Sequence, residues 1–310
     1  MSKRPLLIGL VLLAVCAAAP FFFYPVFLMK VLCFALLASA LNLLVGYVGL
    51  LSFGHAMFFG GAAYVAGYTI KVWHWDPLLA ILAGGVVAGL LAGFVGLLAI
   101  RRHGIYFSMI TLAFAQLVYF VCLRVPATGG ENGIQDIPRG TLLGWLDLSG
   151  NMTLYYVVLA ITGLGIFLVY RIVHSPFGQV LKAIRDNEQR VESLGYPVRA
   201  YKHLAFMLSG ALAGVAGATK VLVFQIATLQ DVMWHTSGEA VLMVIVGGLQ
   251  TMLGPLAGAL MIVSMHNAMA WMAEWVLVIQ GAVFILFVML CRRGIVGQIA
   301  WWWRDRERTS

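Results

Sequence analysis

The chain has 310 residues, 62% of them hydrophobic and only 10% charged, with a mean hydropathy of +0.94. Soluble domains carry about a quarter charged residues, so the composition excludes one and predicts an all-α polytopic membrane protein. The net charge of +8 does not argue for nucleic acid, because the basic residues lie between apolar runs, where they set orientation in the membrane.

With about 20 residues per span, the length accommodates about ten crossings and leaves no room for a soluble catalytic domain, so residues 1–310 are expected to form a single transmembrane domain. Lys3-Arg4, apolar residues 5–19 and Ala17-Ala18-Ala19 have the layout of a cleavable signal. A multispan chain needs no cleaved signal, and 5–23 is expected to be an uncleaved first span. Further apolar runs cover 27–46, 49–70, 77–99, 105–123, 152–171, 203–225, 238–252, 255–272 and 275–291. Together they give about ten transmembrane or re-entrant helices.

Placing the N-terminus in the cytoplasm and alternating sides puts Lys3, Arg4, Arg101, Arg102, Arg171, Lys182, Arg185, Arg190, Arg199, Lys202, Arg292, Arg293, Arg304, Arg306 and Arg308 inside. This satisfies the positive-inside rule and predicts a multi-pass protein of a bacterial inner membrane with both termini cytoplasmic. Residues 292–310 form a basic tail in which Trp301-Trp302-Trp303 read as an interfacial anchor. The four cysteines, Cys16, Cys33, Cys122 and Cys291, fall within or at the ends of apolar segments without CxxC spacing. Neither a disulfide framework nor a zinc site is indicated.

Two segments interrupt the helical pattern. Gly46-Tyr47-Val48-Gly49-Leu50-Leu51-Ser52-Phe53-Gly54-His55 is the first, and Gly247-Gly248-Leu249-Gln250-Thr251-Met252-Leu253-Gly254-Pro255 the second. Freed backbone groups persist at membrane depth only when buried in protein or lining a cavity, so paired breaks point to a central transport path. Asn42, Ser52, His55, Gln116, Gly247 and Gly248 are the candidate path residues. Each polar one among them has helix–helix hydrogen bonding as its alternative role, as do His266 and Asn267. Lys220 and Glu239 are expected to pair or to line an outer vestibule, in a structural or gating role.

Residues 171–203 form the one long charged stretch. Ser175-Pro176 is a good helix start and Gly195 a good stop, predicting a helix over 175–195. Phe177, Leu181, Ile184, Val191 and Leu194 make its apolar stripe, and Asp186 and Arg190 stand at i,i+4 for an ion pair. Such a helix lies in the headgroups or docks a soluble subunit.

A resemblance decides between these. The residues carrying it are Ser175-Pro176-Phe177-Gly178, Ala183-Ile184-Arg185-Asp186-Asn187-Glu188, Glu192-Ser193-Leu194-Gly195-Tyr196 and Ser209 to Gly217. With them go Leu41 to Tyr47, Leu51 to His55, Thr128-Gly129-Gly130-Glu131-Asn132-Gly133-Ile134 and Val244 to Leu249 with Gly254-Pro255. In this order, over about residues 30 to 290, they resemble the LivM-type permeases of branched-chain amino acid ABC importers. The match departs at Gln250-Thr251-Met252-Leu253 and at Pro197. The resemblance implies a LivH-like permease partner, two cytoplasmic ABC ATPases, a periplasmic substrate-binding protein and a bound lipid environment. It also implies no enzymatic site and no cofactor in this chain, with ATP used by the partner subunits. The charged helix becomes the cytoplasmic coupling helix, with Gly178, Lys182, Arg185, Glu188, Glu192 and Gly195 as the ATPase-coupling residues. Reversing Glu188 and Glu192 together is expected to uncouple transport in a folded protein.

Alternatives remain at this level. Permeases of the same architecture carry urea or short amides. A secondary transporter or channel would suit the broken helices, but the spans contain almost no carboxylates for a relay. An intramembrane hydrolase built on Ser52 and His55 lacks an orienting third group and an oxyanion site.

Overall fold

Proline at the first helical position, where no backbone N–H is needed, opens two of the long helices. They are α1 (Pro25–Val45) and α3 (Pro77–Ala99), the latter also capped by the Asp76 carboxylate, which accepts from the Leu78 N–H at 2.8 Å. Between them lies α2 (His55–Trp73). Then follow α4 (Ile105–Arg124), α5 (Asn151–His174), α6 (Pro176–Asp186), α7 (Glu188–Ser193) and α8 (Val198–Phe224). The series closes with α9 (Trp234–Gly247), α10 (Gly254–Ala268) and α11 (Val276–Leu290). This is a computed structural model, and it describes residues 14–142, 144–269, 276–290 and 294–298. Lys3, Arg4, residues 5–13 of the expected first span, Cys291, the tryptophan anchor and all of the basic tail except 294–298 lie outside the described residues.

The fold is all-α and polytopic, with the strands Thr141–Leu142 and Leu146–Asp147 pairing as a small antiparallel hairpin in the loop before α5. Among the described residues five helices, α1, α3, α4, α5 and α8, are long and apolar enough to cross a membrane. α9 and α10 are not: at 14 and 15 residues they are about 21 and 22 Å long, against a hydrocarbon core of about 30 Å. Gly258 backs onto the Met243 carbonyl and Gly247 onto Gly254, so the two short helices form a tight antiparallel hairpin. Residues 238–272, expected to be two spans or a full hairpin, therefore form the hairpin.

α1 and α8 are buried along most of their length, whereas α4 and α5 are buried along a third or less. The apolar side chains on the outside, among them Leu82, Leu90, Phe94, Met109, Phe120, Leu164 and Phe167, face the membrane, where exposed leucine is not penalised. α3 and α8 pack along a ladder of small residues. Gly85 faces Val215, Gly89 faces Ala211 and Gly93 faces Met207 from one side, while Gly210 meets Ala92 and Gly214 meets Ala88 from the other. Small side chains at i,i+4 let two helices approach closely, which supplies the dispersion contacts that drive packing where lipid removes the hydrophobic incentive.

The helices alternate between two ends. One carries α6 and α7. The other carries the 125–150 loop, pinned to the α8–α9 connection by the bridge between Ile134 and Ala227, with N–H to carbonyl distances of 3.1 and 2.9 Å. Gly133 has φ +68 and lies against the Ala227 carbonyl, which is why the loop needs glycine there.

Candidate functional site

The helix expected over 175–195 is two helices. Ser175 caps α6 by accepting from the Gly178 N–H at 3.2 Å, as its position implies. The helix then stops at Asn187, which is extended (φ −159) and whose side chain caps α7 by accepting from the Arg190 N–H at 3.0 Å. Asn caps helices better than it continues them, because its side chain competes for backbone donors. The break separates Asp186 from Arg190, and these two form no ion pair. Gly195 ends α7 at φ +85, with its own N–H on the Glu192 carbonyl at 2.9 Å and the Tyr196 N–H on the Val191 carbonyl at 3.3 Å, a complete Schellman motif. Of the predicted stripe, Leu181, Ile184 and Val191 are buried and Phe177 stacks on Tyr201, but Leu194 is 71% exposed.

The charged residues of this segment divide by direction. Arg185 Nη1 donates to the Gly46 carbonyl at 2.8 Å, and the Lys182 ammonium lies 5.8 Å from the centre of the Tyr47 ring. Glu188 bonds the Lys202 ammonium at 2.7 Å, with Lys202 only 5% exposed, and lies 3.5 Å from His103. Gly178 is buried against the carbonyls of Ile172 and Val173, so a side chain would force α6 off the end of α5. Of these four, Gly178 is buried, Lys182 and Glu188 are half-buried, and Arg185 is exposed with its guanidinium turned back onto Gly46. Glu192 and Gly195 are exposed, together with Ala183, Asp186, Gln189 and Arg190.

The segment touched by Arg185 and Lys182 is the first interruption, and it reaches the second. Asn42 Nδ2 donates to the Thr251 carbonyl at 3.0 Å, while its Oδ1 accepts from the Gln250 N–H at 3.3 Å. The Tyr47 hydroxyl donates to the Gln250 carbonyl at 2.9 Å. Gln250 has φ +63, a left-handed conformation costing about 1–2 kcal/mol for a residue with a side chain; the bonds from Asn42 and Tyr47 to both of its backbone groups hold it there. Gly247 and Gly248 lie in the same turn, Gly248 with φ +117.

Deeper in the bundle, Ser52, His55 and Ser209 are fully buried. Ser209 donates its single hydroxyl proton to the Ala40 carbonyl at 2.5 Å, so at the 2.8 Å contact with His55 it must accept from an Nε2–H. His55 Nδ1 is then the acceptor for the Ser52 hydroxyl at 3.3 Å. Every proton in the chain is assigned, and the three side chains tie the start of α2 to α1 and α8. The Ala56 N–H at this helix start is met by the Ser237 hydroxyl at 2.7 Å, a cap from α9 that no local sequence pattern announces. Gln116 is half-buried on α4, away from this network, with no polar partner among the described residues. Lys220 pairs with Asp231, and Glu239 faces His266 at 4.0 Å; the expected Lys220–Glu239 pair does not form.

Comparison with known proteins agrees with this architecture. A family model described as the permease component of the branched-chain amino acid transport system matches residues 25–288. The high-affinity branched-chain amino acid transport system permease protein LivM of Escherichia coli is 27% identical over 291 residues, covering 85% of this chain and 67% of that protein. LivM of Salmonella typhimurium is 26% identical with the same coverage, and the ribose import permease RbsC of Bacillus subtilis is 26% identical over 84% of this chain and 79% of its own length. No solved structure matches the chain at a significant level. A membrane-embedded helical bundle with two clasped interruptions, matched over nearly its whole length by one family, belongs to the branched-chain amino acid ABC transporter permeases of the LivM type.

Proposed function

We propose that the chain imports branched-chain, hydrophobic amino acids as one of two membrane subunits in an ATP-driven transporter of the bacterial inner membrane, with both termini cytoplasmic. Its partners in this reading are a LivH-like permease, two cytoplasmic ATPases that bind and hydrolyse ATP, and a periplasmic binding protein that selects the cargo. Relatives named for branched-chain amino acid transport support that cargo over sugars or urea. The observation that carries the mechanism is the chain of bonds from the α6–α7 segment through Gly46 and Tyr47 to Gln250. A push on the exposed face of α6–α7 displaces Arg185, Arg185 pulls on the Gly46 carbonyl, and the clasp between the two interruptions opens. The helices need only rock as rigid bodies for the path to alternate between the two sides.

The test is uptake of radiolabelled leucine by cells that express the whole transporter and lack other leucine importers. Uptake is expected to require the ATPases and the binding protein. A hydrogen bond from a charged group contributes about 1.5–3 kcal/mol, so Arg185→Ala is expected to lower uptake about tenfold or more while ATP hydrolysis continues. Uptake independent of ATP would refute an ABC importer, and uptake of urea but not leucine would refute the cargo.

A further inference from the structure

A cavity of about 410 Å³ lies between α2 and α3 at the end of the bundle opposite α6 and α7, within the range of about 300–1,000 Å³ for small-molecule sites. Tyr64, Val65 and Tyr68 form its α2 wall, and Ala83 and Val87 its α3 wall. Ala127, Thr128 and Ile134 of the glycine loop close one side, and Trp73 and Trp75, both exposed, stand at its loop end. The lining is almost entirely carbon. Thr69 and Thr128 turn their hydroxyl protons onto the carbonyls of Val65 at 2.9 Å and Val125 at 2.6 Å, and Tyr64 presents its ring, the hydroxyl being covered by protein. Tyr68, Trp73 and Trp75 brace one another with ring centres 5.8 and 5.3 Å apart. A buried water needs two to four polar partners, so this space does not suit water.

The open side faces the bilayer. Leu79, Ala83, Val87 and Leu90 recur at helical spacing on one face of α3, and Leu79, Val87 and Leu90 are exposed on the membrane side of the bundle. Ala83 is the small residue in that stripe, so the cavity is a notch that continues the lipid-facing surface inward. Its length is also that of a single leaflet. From Val65 to Trp73 α2 rises about 12 Å, and Val87, the eleventh residue of α3, lies about 15 Å below the helix start. Half of the hydrocarbon core is about 15 Å. The indoles of Trp73 and Trp75 lie at the end of the slot where headgroups begin, the depth that tryptophan favours. Lys71, two residues before Trp73, donates to the Gln135 carbonyl at 2.7 Å, which fixes an ammonium beside Ile134 at that same end.

We propose that this slot binds one acyl chain of a phospholipid from the leaflet on the loop side, with the glycerol at Trp73 and Trp75 and the phosphate on the side of Lys71. The chain fills the gap between α2 and α3 and supports the loop through Ile134, which is bridged to Ala227. The site requires only that the bundle lies in the membrane, whatever the cargo.

The test reconstitutes the complete transporter in nanodiscs with a trace of phosphatidylethanolamine carrying a diazirine midway along one acyl chain. After illumination, adducts are mapped by peptide mass spectrometry. Adducts on residues 64–68 are expected to be at least about tenfold richer than on Phe120 of α4 and Tyr156 of α5, which are exposed at similar depths, a preference of about 1.4 kcal/mol. Ala83→Phe, which fills the notch, is expected to abolish that enrichment, and Leu82→Phe, which points to the bilayer beside it, is expected to preserve it. Co-purification of the partner subunits reports assembly of each variant, and the enrichment in the wild type stands as a test that needs no variant. Labelling spread evenly over the three helices would overturn the proposal, since it describes bulk lipid only. Enrichment unchanged by Ala83→Phe in an assembled transporter would overturn it too, as would loss of the adducts in excess leucine, which would give the slot to the cargo.

Discussion

At the scale of the residue, the charged side chains of α6 and α7 separate into two tasks that charge alone does not distinguish. Glu188 holds Lys202, which is buried, so Glu188→Lys sets two ammonium groups against each other. Leaving a buried charge unpaired costs about 3–5 kcal/mol, and the 32% exposure of the Glu188 side chain places this case near the lower figure. The expected result is a lower melting temperature of the purified complex. The Glu192 side chain is exposed and has no partner among the described residues, so Glu192→Lys is expected to leave the melting temperature unchanged and to lower ATPase-coupled uptake. Equal destabilisation by both substitutions would contradict this division. Combining them, as the sequence alone recommends, would confuse a folding defect with a coupling defect. Asn42 offers a sharper case. Its side chain satisfies two backbone groups of the second interruption, and Asn42→Ala leaves both unmet at about 1–3 kcal/mol. Thermal unfolding in detergent is expected to show that loss, and protease sensitivity is expected to rise at residues 248–253.

At the scale of the element, the interruptions were visible as clusters of glycine and proline, and their clasp was not. Nothing local relates Asn42 to Thr251, because a hydrogen bond across 209 residues leaves no trace in periodicity. The split of the charged helix at Asn187 lay within reach of capping rules: Asn at the cap with Glu at the first helical position is a start signal, masked here by a continuous apolar stripe. The α3–α8 ladder could also have been found from the i,i+4 spacing of Gly85, Gly89 and Gly93, a pattern overlooked because glycine in an apolar run reads first as a helix breaker. Gly89→Leu is expected to force α3 from α8, at about 1–3 kcal/mol for overpacking and more where backbones touch, and to reduce the yield of assembled permease. Gly61→Ala on α2, with open space at its Cβ, is the control and is expected to behave as wild type.

At the scale of the whole molecule, the alternation of helices places the α6–α7 segment and the turn of the α9–α10 hairpin at one end, and the glycine loop with the Lys30, Lys220, Asp231 and Glu239 charges at the other. In the import mechanism proposed above, the first end transfers force and the second receives cargo. Cysteine introduced at Glu192 is expected to label with a membrane-impermeant maleimide only in inverted vesicles, and at Glu131 only in intact outer-permeabilised cells. The reverse pattern would invert the assigned topology.

The sequence by itself determined the membrane class, the helical fold, most helix boundaries to within a few residues, the two interruptions and the family. Each of these follows from local composition, period or motif. The tertiary structure alone decided which polar residues meet: Asn42 with the second interruption, His55 with Ser209, Lys202 with Glu188, and Lys220 with Asp231. The physical reason is that a buried polar group must find a partner wherever the packed helices bring one within about 3 Å, and that neighbour is set by helix packing, which local sequence does not encode.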